Sequence, residues 1–162
     1  MNHVDVKEAA DLWANGKPLE AGRLIYESLP LELRPGWASR ILRLVLDRSK
    51  IQSSEIDDLL IVADNKPMWK DGHKVFDRLR NATLELDDLR RIRAPSVEES
   101  LQNYVLSLAE LVAKVVYNAT TPPDEFDEES GWRIAAYLRW LVDRQWPDEA
   151  FERQAWEVLS SV

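Results

Sequence analysis

Ser96-Val97-Glu98-Glu99-Ser100-Leu101-Gln102-Asn103-Tyr104-Val105-Leu106-Ser107-Leu108-Ala109-Glu110-Leu111-Val112-Ala113-Lys114-Val115-Val116-Tyr117-Asn118 reads as one long helix. Its start is marked by a capping box. The Ser96 hydroxyl is placed to accept the Glu99 amide, and the Glu99 carboxylate to reach back to the Ser96 amide. Leu101, Tyr104, Val105, Leu108, Leu111, Val112 and Val115 recur at spacings of three and four, the period of one helix face. Asn103, Ser107, Glu110, Lys114 and Asn118 fall on the other side and are expected to meet solvent. Pro95 precedes the cap, and Thr120-Thr121-Pro122-Pro123 ends the run.

Working outward, the same period recurs. Residues 4–14 predict a first helix, with Gly16 just past its end and Pro18 just inside the next start. Proline inside a start and glycine past an end is the usual asymmetry of helix boundaries. A second helix covers 18–29 and stops at Pro30. Pro35 opens a third, with Trp37, Ile41, Leu44 and Val45 inward and Arg40, Arg43 and Asp47 outward. Ser54 is expected to cap a fourth over 55–64, where Asp57 and Asp58 favour the first turn. Asn65-Lys66-Pro67 begins a fifth with Trp69, Gly72, Phe76 and Leu79 as its core stripe. Leu84-Glu85-Leu86-Asp87 alternates like a strand, but Leu86, Leu89 and Ile92 favour a short separate helix over 84–92. Residues 127–144 are apolar on most sides, as a central helix would be. Pro147 starts the last helix, 147–160, with Phe151, Ala155 and Val158 inward.

These elements define an all-α protein: a compact array of about eight mostly antiparallel helices with no significant sheet. Helix content near 70% is expected, against about a third in globular proteins at large. Only three Thr and five Gly agree with a helix-favouring mix. The 162 residues make a single helical domain, 1–162, with 93–96 around Pro95 as the one candidate subdomain joint. A chain of this length buries about 68–70% of its unfolded surface, enough for a core without staples.

Composition removes whole classes of chemistry. There is no cysteine, hence no disulfide, thiol nucleophile or cysteine-ligated metal. The absence of cysteine fits a cytoplasmic protein. Met1 to Trp13 carries three acids and no basic n-region, unlike a signal peptide. No apolar run is long enough to suggest a membrane span. Asn81 and Asn118 each open an Asn-x-Thr sequon, which is read as coincidence without a secretory signal. A net charge of −8 argues against nucleic acid, whose affinity for proteins comes from Lys and Arg displacing counterions.

Around Gly16, Ala21, Ile25 and Ser28 the spacing resembles the tetratricopeptide repeat. Glu8, however, stands where that repeat needs an apolar residue. No second copy follows about 34 residues later, and stacked repeats need at least about three. The stretch is therefore read as an ordinary helical hairpin.

No phosphate loop, dinucleotide fingerprint or Gly-x-Ser-x-Gly elbow is present. His3 and His73 are the only histidines, too few for a zinc site or a Glu-x-x-His di-iron bundle. No catalytic residue, metal ligand or cofactor is assigned. Lys66, Lys70, Lys74 and Arg78 recur at i+4 around His73, so Lys70, His73, Lys74 and Arg78 are candidate anion binders; interleaved Asp71 and Asp77 instead favour a solvated face. Arg90, Arg91 and Arg93, beside Asp87 and Asp88, are read as salt bridging.

Asp124, Glu125, Asp127, Glu128 and Glu129 put five carboxylates into six residues. They miss the calcium-loop pattern, because Phe126 and Glu129 stand where an acid and a glycine are required. A helix start gains about 0.3–1 kcal/mol from acids, but five adjacent ones repel. That surplus, with Trp132 and Trp146 beside it, marks a candidate surface for a basic protein partner. Trp13, Trp37 and Trp69 lie on apolar stripes and are expected in the core. Splitting the charge gives +1 for residues 1–50, −3 for 51–100 and −6 for 101–162. The leading functional expectation is therefore a non-enzymatic interaction module of immunity or antitoxin type, acting through its acidic, aromatic C-terminal third. A small-molecule pocket lined by Trp and Tyr is one alternative, and an enzyme using carboxylates with His73 is another. Seven tryptophans could also supply a homodimer patch.

Overall fold

In the computed structural model, which describes residues 5–120 and 130–161, about half of the other helices pack on one long helix, Val97–Asn118. Eight α-helices are present among the described residues: α1 (Val6–Ala14), α2 (Pro18–Ser28), α3 (Arg34–Ser49), α4 (Ser54–Asp64), α5 (Gly72–Ile92), α6 (Val97–Asn118), α7 (Ile134–Trp140) and α8 (Glu149–Ser160). Short 3-10 turns at Leu31–Leu33, Lys66–Asp71 and Gly131–Arg133 lead into α3, α5 and α7. Helical structure takes 85% of the described residues, and none is in a strand. Among them no helix is long and apolar enough to cross a membrane.

The capping box at the start of α6 is fully formed. Glu99 N donates to Ser96 Oγ at 3.1 Å, and Ser96 N donates to Glu99 Oε1 at 3.2 Å. From residue 103 onward α6 is enclosed by α3, α4, α5 and α7, and Val105, Leu108, Val112 and Val116 are wholly buried. The expected polar face is overturned at its two ends, while Ser107, Glu110 and Lys114 stay partly exposed. Asn103 is only 8% exposed and Asn118 only 2%. Asn103 is accommodated because its amide donates to Asp87 of α5 at 3.0 Å. A buried Asn118 also leaves no room for a glycan at that sequon.

Tryptophans tie the core to the backbone. Trp37 Nε1 donates to Leu159 O at 2.9 Å and joins α3 to α8; Trp69 Nε1 donates to Ala63 O at 3.0 Å. Trp13, Trp37 and Trp69 are all buried, as their apolar stripes predict. Gly16 takes a positive φ of 71° in the α1–α2 turn, a conformation that suits glycine.

Several boundaries differ from expectation. The cap of α4 is Ser53, not Ser54: Ser53 is extended and accepts from Ile56 N, while Ser54 is already helical. The short helix expected over 84–92 is the continuation of α5, which runs unbroken for 21 residues. Its apparent alternation arises because this half packs mainly on α6 and carries a thin apolar stripe. The central helix expected over 127–144 begins outside the described residues. Its described part is a 3-10 turn, then α7, then a π-helical turn at Leu141–Gln145. The last helix starts at Glu149, capped by Asp148, rather than at Pro147. There Leu159 is buried, and Val158 only partly so.

The α5–α6 hairpin is the most extensive helix pair, and 93–96 is its turn. The pair approaches tightly at Gly72, where an added Cβ would lie 2.7 Å from Tyr117 N and 2.9 Å from its Cα. Towards the turn the hairpin leaves the core: no residue from Arg80 to Gln102 is buried. Two outcomes follow. Gly72→Ala will cost about 1–3 kcal/mol by overpacking against backbone that cannot move aside, read as a lowered urea midpoint. Amide hydrogen exchange will be slow over 103–116 and markedly faster over 84–93, since exchange follows local burial.

Candidate functional site

The outer part of the hairpin presents the most exposed large apolar side chains among the described residues. Ile92, at the end of α5, is 82% exposed, and Val97, at the start of α6, is 80% exposed. Beside them runs a groove of about 490 Å³. Its floor is α6, with Val97, Leu101 and Tyr104; Arg90 forms one flank, and Trp140 with Gln145 the other. Val97, Leu101, Tyr104 and Leu108 are spaced four, three and four, which is a helix-packing seam. Leu108 is buried within the protein, Leu101 and Tyr104 are partly buried, and Val97 is exposed.

Aromatic contacts shape the second wall. Trp140 stacks on Tyr104 with ring centroids 4.4 Å apart and planes 29° apart. Tyr104 also packs on Tyr137 at 4.9 Å and donates its hydroxyl to Tyr137 O at 3.1 Å. Burial pushes both tyrosine hydroxyls above their ordinary pKa. The π-helical turn that follows Trp140 carries Gln145 back to the groove, closing with Trp146 N donating to Leu141 O. Such turns are frequent at functional sites. Ser100, Asn103 and Ser107 add polar groups along the floor. Buried Asn103 Oδ1 has no donor, although its amide is paired with Asp87.

The arginines near the turn are paired within the chain, two of them with the Asp87 and Asp88 expected from sequence and Arg93 instead across the turn. Arg90 meets Asp87 and Arg91 meets Asp88, each at 3.7 Å, and Arg93 holds Glu99 at 2.7 Å. The Arg93 hydrogen bonds, with those from Ser96, hold the Glu99 carboxyl down at about 2.

Of the residues singled out from sequence, none that is described lines the groove. Asp124, Glu125, Asp127, Glu128 and Glu129 fall outside the described residues. Trp132 and Trp146 are partly exposed, as expected, but each meets cationic side chains of its own chain. Trp132 has Arg23 and Arg133 within 5.8 and 5.4 Å of its ring; Trp146 has Arg48 at 6.0 Å and lies edge-on to Phe151. Trp140, placed from sequence in a central helix, is instead the most exposed of the seven at 43%. Lys70, His73, Lys74 and Arg78 are exposed and do not converge. His73 faces Asp77 at 3.3 Å, Lys74 faces Asp71 at 3.4 Å, and Arg78 pairs with Asp58 of α4. His73 also packs edge-on to Tyr117 at 5.5 Å. Among the described residues no three acidic or histidine side chains gather as a metal site.

The groove was missed from sequence because its walls come from three separated segments. Its one local signal is the pair Ile92 and Val97, large apolar residues on both sides of a tight turn. Comparison of the chain with family models, with curated proteins and with solved structures finds no match.

One titration beside the site has a definite sign. Glu110, half-buried on α6, accepts from Thr83 Oγ1 at 2.7 Å, with Arg80, Asp87 and Tyr137 nearby. Burial raises its pKa above the ordinary 4.5. The folded state then keeps a proton that the unfolded state has lost, so its stabilising contribution is complete below the ordinary value and is lost as pH rises through the raised one. Glu99 acts in the opposite direction, its contribution fading as pH falls from 4.5 toward about 2. Glu110→Gln will therefore remove the upper decline and leave the lower one, as read from urea midpoints across the acid-to-neutral range.

Proposed function

We propose that the chain is a non-enzymatic interaction module whose working surface is the groove along α6 and the hairpin turn beside it. The observation that carries this reading is Val97, 80% exposed at the head of a seam in which Leu101 and Tyr104 are partly buried and Leu108 wholly so. An apolar helix face without a partner is where an amphipathic helix docks. Exposed Trp140 supplies a rigid aromatic anchor of the kind that dominates interface energetics. Neutral hydrogen-bonding groups at Ser100, Ser107 and Gln145 would orient an occupant without requiring charge. Val97→Glu and Trp140→Ala should each weaken capture of the partner by at least about tenfold, while circular dichroism stays unchanged. Capture that both variants leave intact would reject the reading.

The charge of −6 over residues 101–162 favours a second reading, in which the carboxylates at 124–129 steer a basic protein toward the same molecule. Such steering acts mainly on association rate and is screened by salt. Reversing Asp127, Glu128 and Glu129 to lysine should slow association with that partner at low salt; an unchanged rate would sink the idea.

A further inference from the structure

We infer that the groove along α6 binds a small planar molecule: an uncharged heteroaromatic ring of nucleobase size with an N–H donor on one edge. Such a ligand is independent of the interaction reading above, which concerns a protein at the same groove. The donor is required by Asn103. This residue lines the groove, is only 8% exposed, and has no donor for its Oδ1. Turning the amide round does not remove the vacancy. Asn103 Nδ2 donates to an Asp87 carboxylate oxygen at 3.0 Å. A carboxylate only accepts, so the nitrogen must face Asp87 and the oxygen must face away from it. Ser107 brings no relief, since its hydroxyl is engaged with the main-chain oxygen of Asn103 at 3.0 Å. A buried acceptor left unmet costs about 1–3 kcal/mol. A ligand with an N–H supplies what is missing, and a plain hydrocarbon does not.

The ring is required by the opposite wall. Trp140 stacks on Tyr104 at 4.4 Å, yet remains 43% exposed. Tyr104 is itself held by its hydroxyl, which donates to Tyr137 O at 3.1 Å. The pair therefore forms a fixed aromatic ledge. Aromatic rings meet such a ledge in offset-stacked or edge-on arrangements, and a rigid ring loses little internal freedom in doing so.

The floor joins the two requirements. Ser100, Asn103 and Ser107 are spaced three and four apart, and Val97, Leu101 and Tyr104 four and three. Helical geometry makes these two parallel lines, one polar and one apolar. The polar line lies toward α5, where Asp87 holds Asn103, and the apolar line toward Trp140. A ring with one polar edge and an apolar face matches both. Charge favours a neutral ring, because Arg90 and Asp87 are already paired at 3.7 Å. The size also fits: about 490 Å³ falls within the range of about 300–1,000 Å³ usual for small-molecule sites.

Titration of the full chain with two matched pairs of rings, followed by protein NMR, tests this site. One pair is 9-methyladenine and 6,9-dimethylpurine, in which a methyl replaces the amino group. The other is indole and 1-methylindole. In each pair only the first member donates an N–H. Saturable binding is expected, with the donor ring about tenfold tighter than its methylated twin in at least one pair. Trp140→Ala should weaken the donor ring about tenfold. Asn103→Leu should erase the preference within the pair, so that both members bind alike. The comparison of twins on the unaltered chain decides the matter even if Asn103→Leu fails to fold. No saturable binding by either donor ring, equal affinity within both pairs, or binding indifferent to Trp140→Ala overturns the inference. If Val97→Glu weakens capture of a protein while no ring binds, the interaction reading survives alone. If a donor ring binds as expected while capture ignores both Val97→Glu and Trp140→Ala, the ligand site survives alone.

Discussion

The enclosure of α6 between residues 103 and 118 is the constraint on which the remaining structure depends. A helix that buries Val105, Leu108, Val112 and Val116 must be met by apolar surface along that whole face. The chain meets that demand by arranging α3, α4, α5 and α7 around it. Close approach is needed as well, and Gly72 provides it by letting α5 reach the backbone of Tyr117. Enclosure also explains the asymmetry of the hairpin. The helices that surround α6 cover only its second half, so its first half and the end of α5 extend beyond them with one another as principal support.

The division between the two halves of the hairpin connects fold to surface. Within the core, polar side chains are tolerated only where a partner is at hand, as Asp87 is for Asn103. Beyond the core the reverse holds: Ile92 and Val97 are large apolar residues in water. Core burial cannot explain their presence, whereas an interface can. The ion pairs around the turn keep this apolar surface at low net charge. Around the turn, then, exposed apolar side chains stand beside charges that are already paired within the chain.

Much of the fold was legible because its signals are local. The capping box at Ser96 and Glu99, the Gly16–Pro18 junction and the stripes holding Trp13, Trp37 and Trp69 each depend on residues within a few turns. Where the reading failed, the deciding interaction was distant or degenerate. Ser53 and Ser54 are equivalent as caps on paper, and only the extended backbone at Ser53 selects it. The continuity of α5 is hidden because its outer half has one principal neighbour and needs few apolar residues. Asn103 and Asn118 look like solvent positions until α5 is packed against them. Of the candidate surface, the pairings of Arg90 and Arg91 were readable from the neighbouring Asp87 and Asp88, whereas that of Arg93 with Glu99 forms across the turn. The groove was not readable, since Trp140 joins Val97 and Tyr104 only when the end of α7 comes to rest against α6. The acidic run at 124–129 is the loudest charge signal in the chain and lies outside the described residues, so the surface argued from structure is drawn from other residues.

The bond from Trp37 Nε1 to Leu159 O spans 122 residues. Its neighbour Arg40 reaches Ser161 O, so two side chains of α3 depend on the last turn of α8 and the residue after it. This sets an order in time as well as in space. Synthesised from its N-terminus at about 5–20 residues per second, the chain exposes Trp37 for roughly 6–24 s before its acceptor exists. Through that interval the largest buried ring of the core has no permanent partner for its indole N–H, and α3 cannot complete its seat. The hairpin of α5 and α6, whose contacts are nearer in sequence, has no such wait. The newly made protein would therefore hold its hairpin, and the apolar turn at its tip, before the core that anchors it is closed.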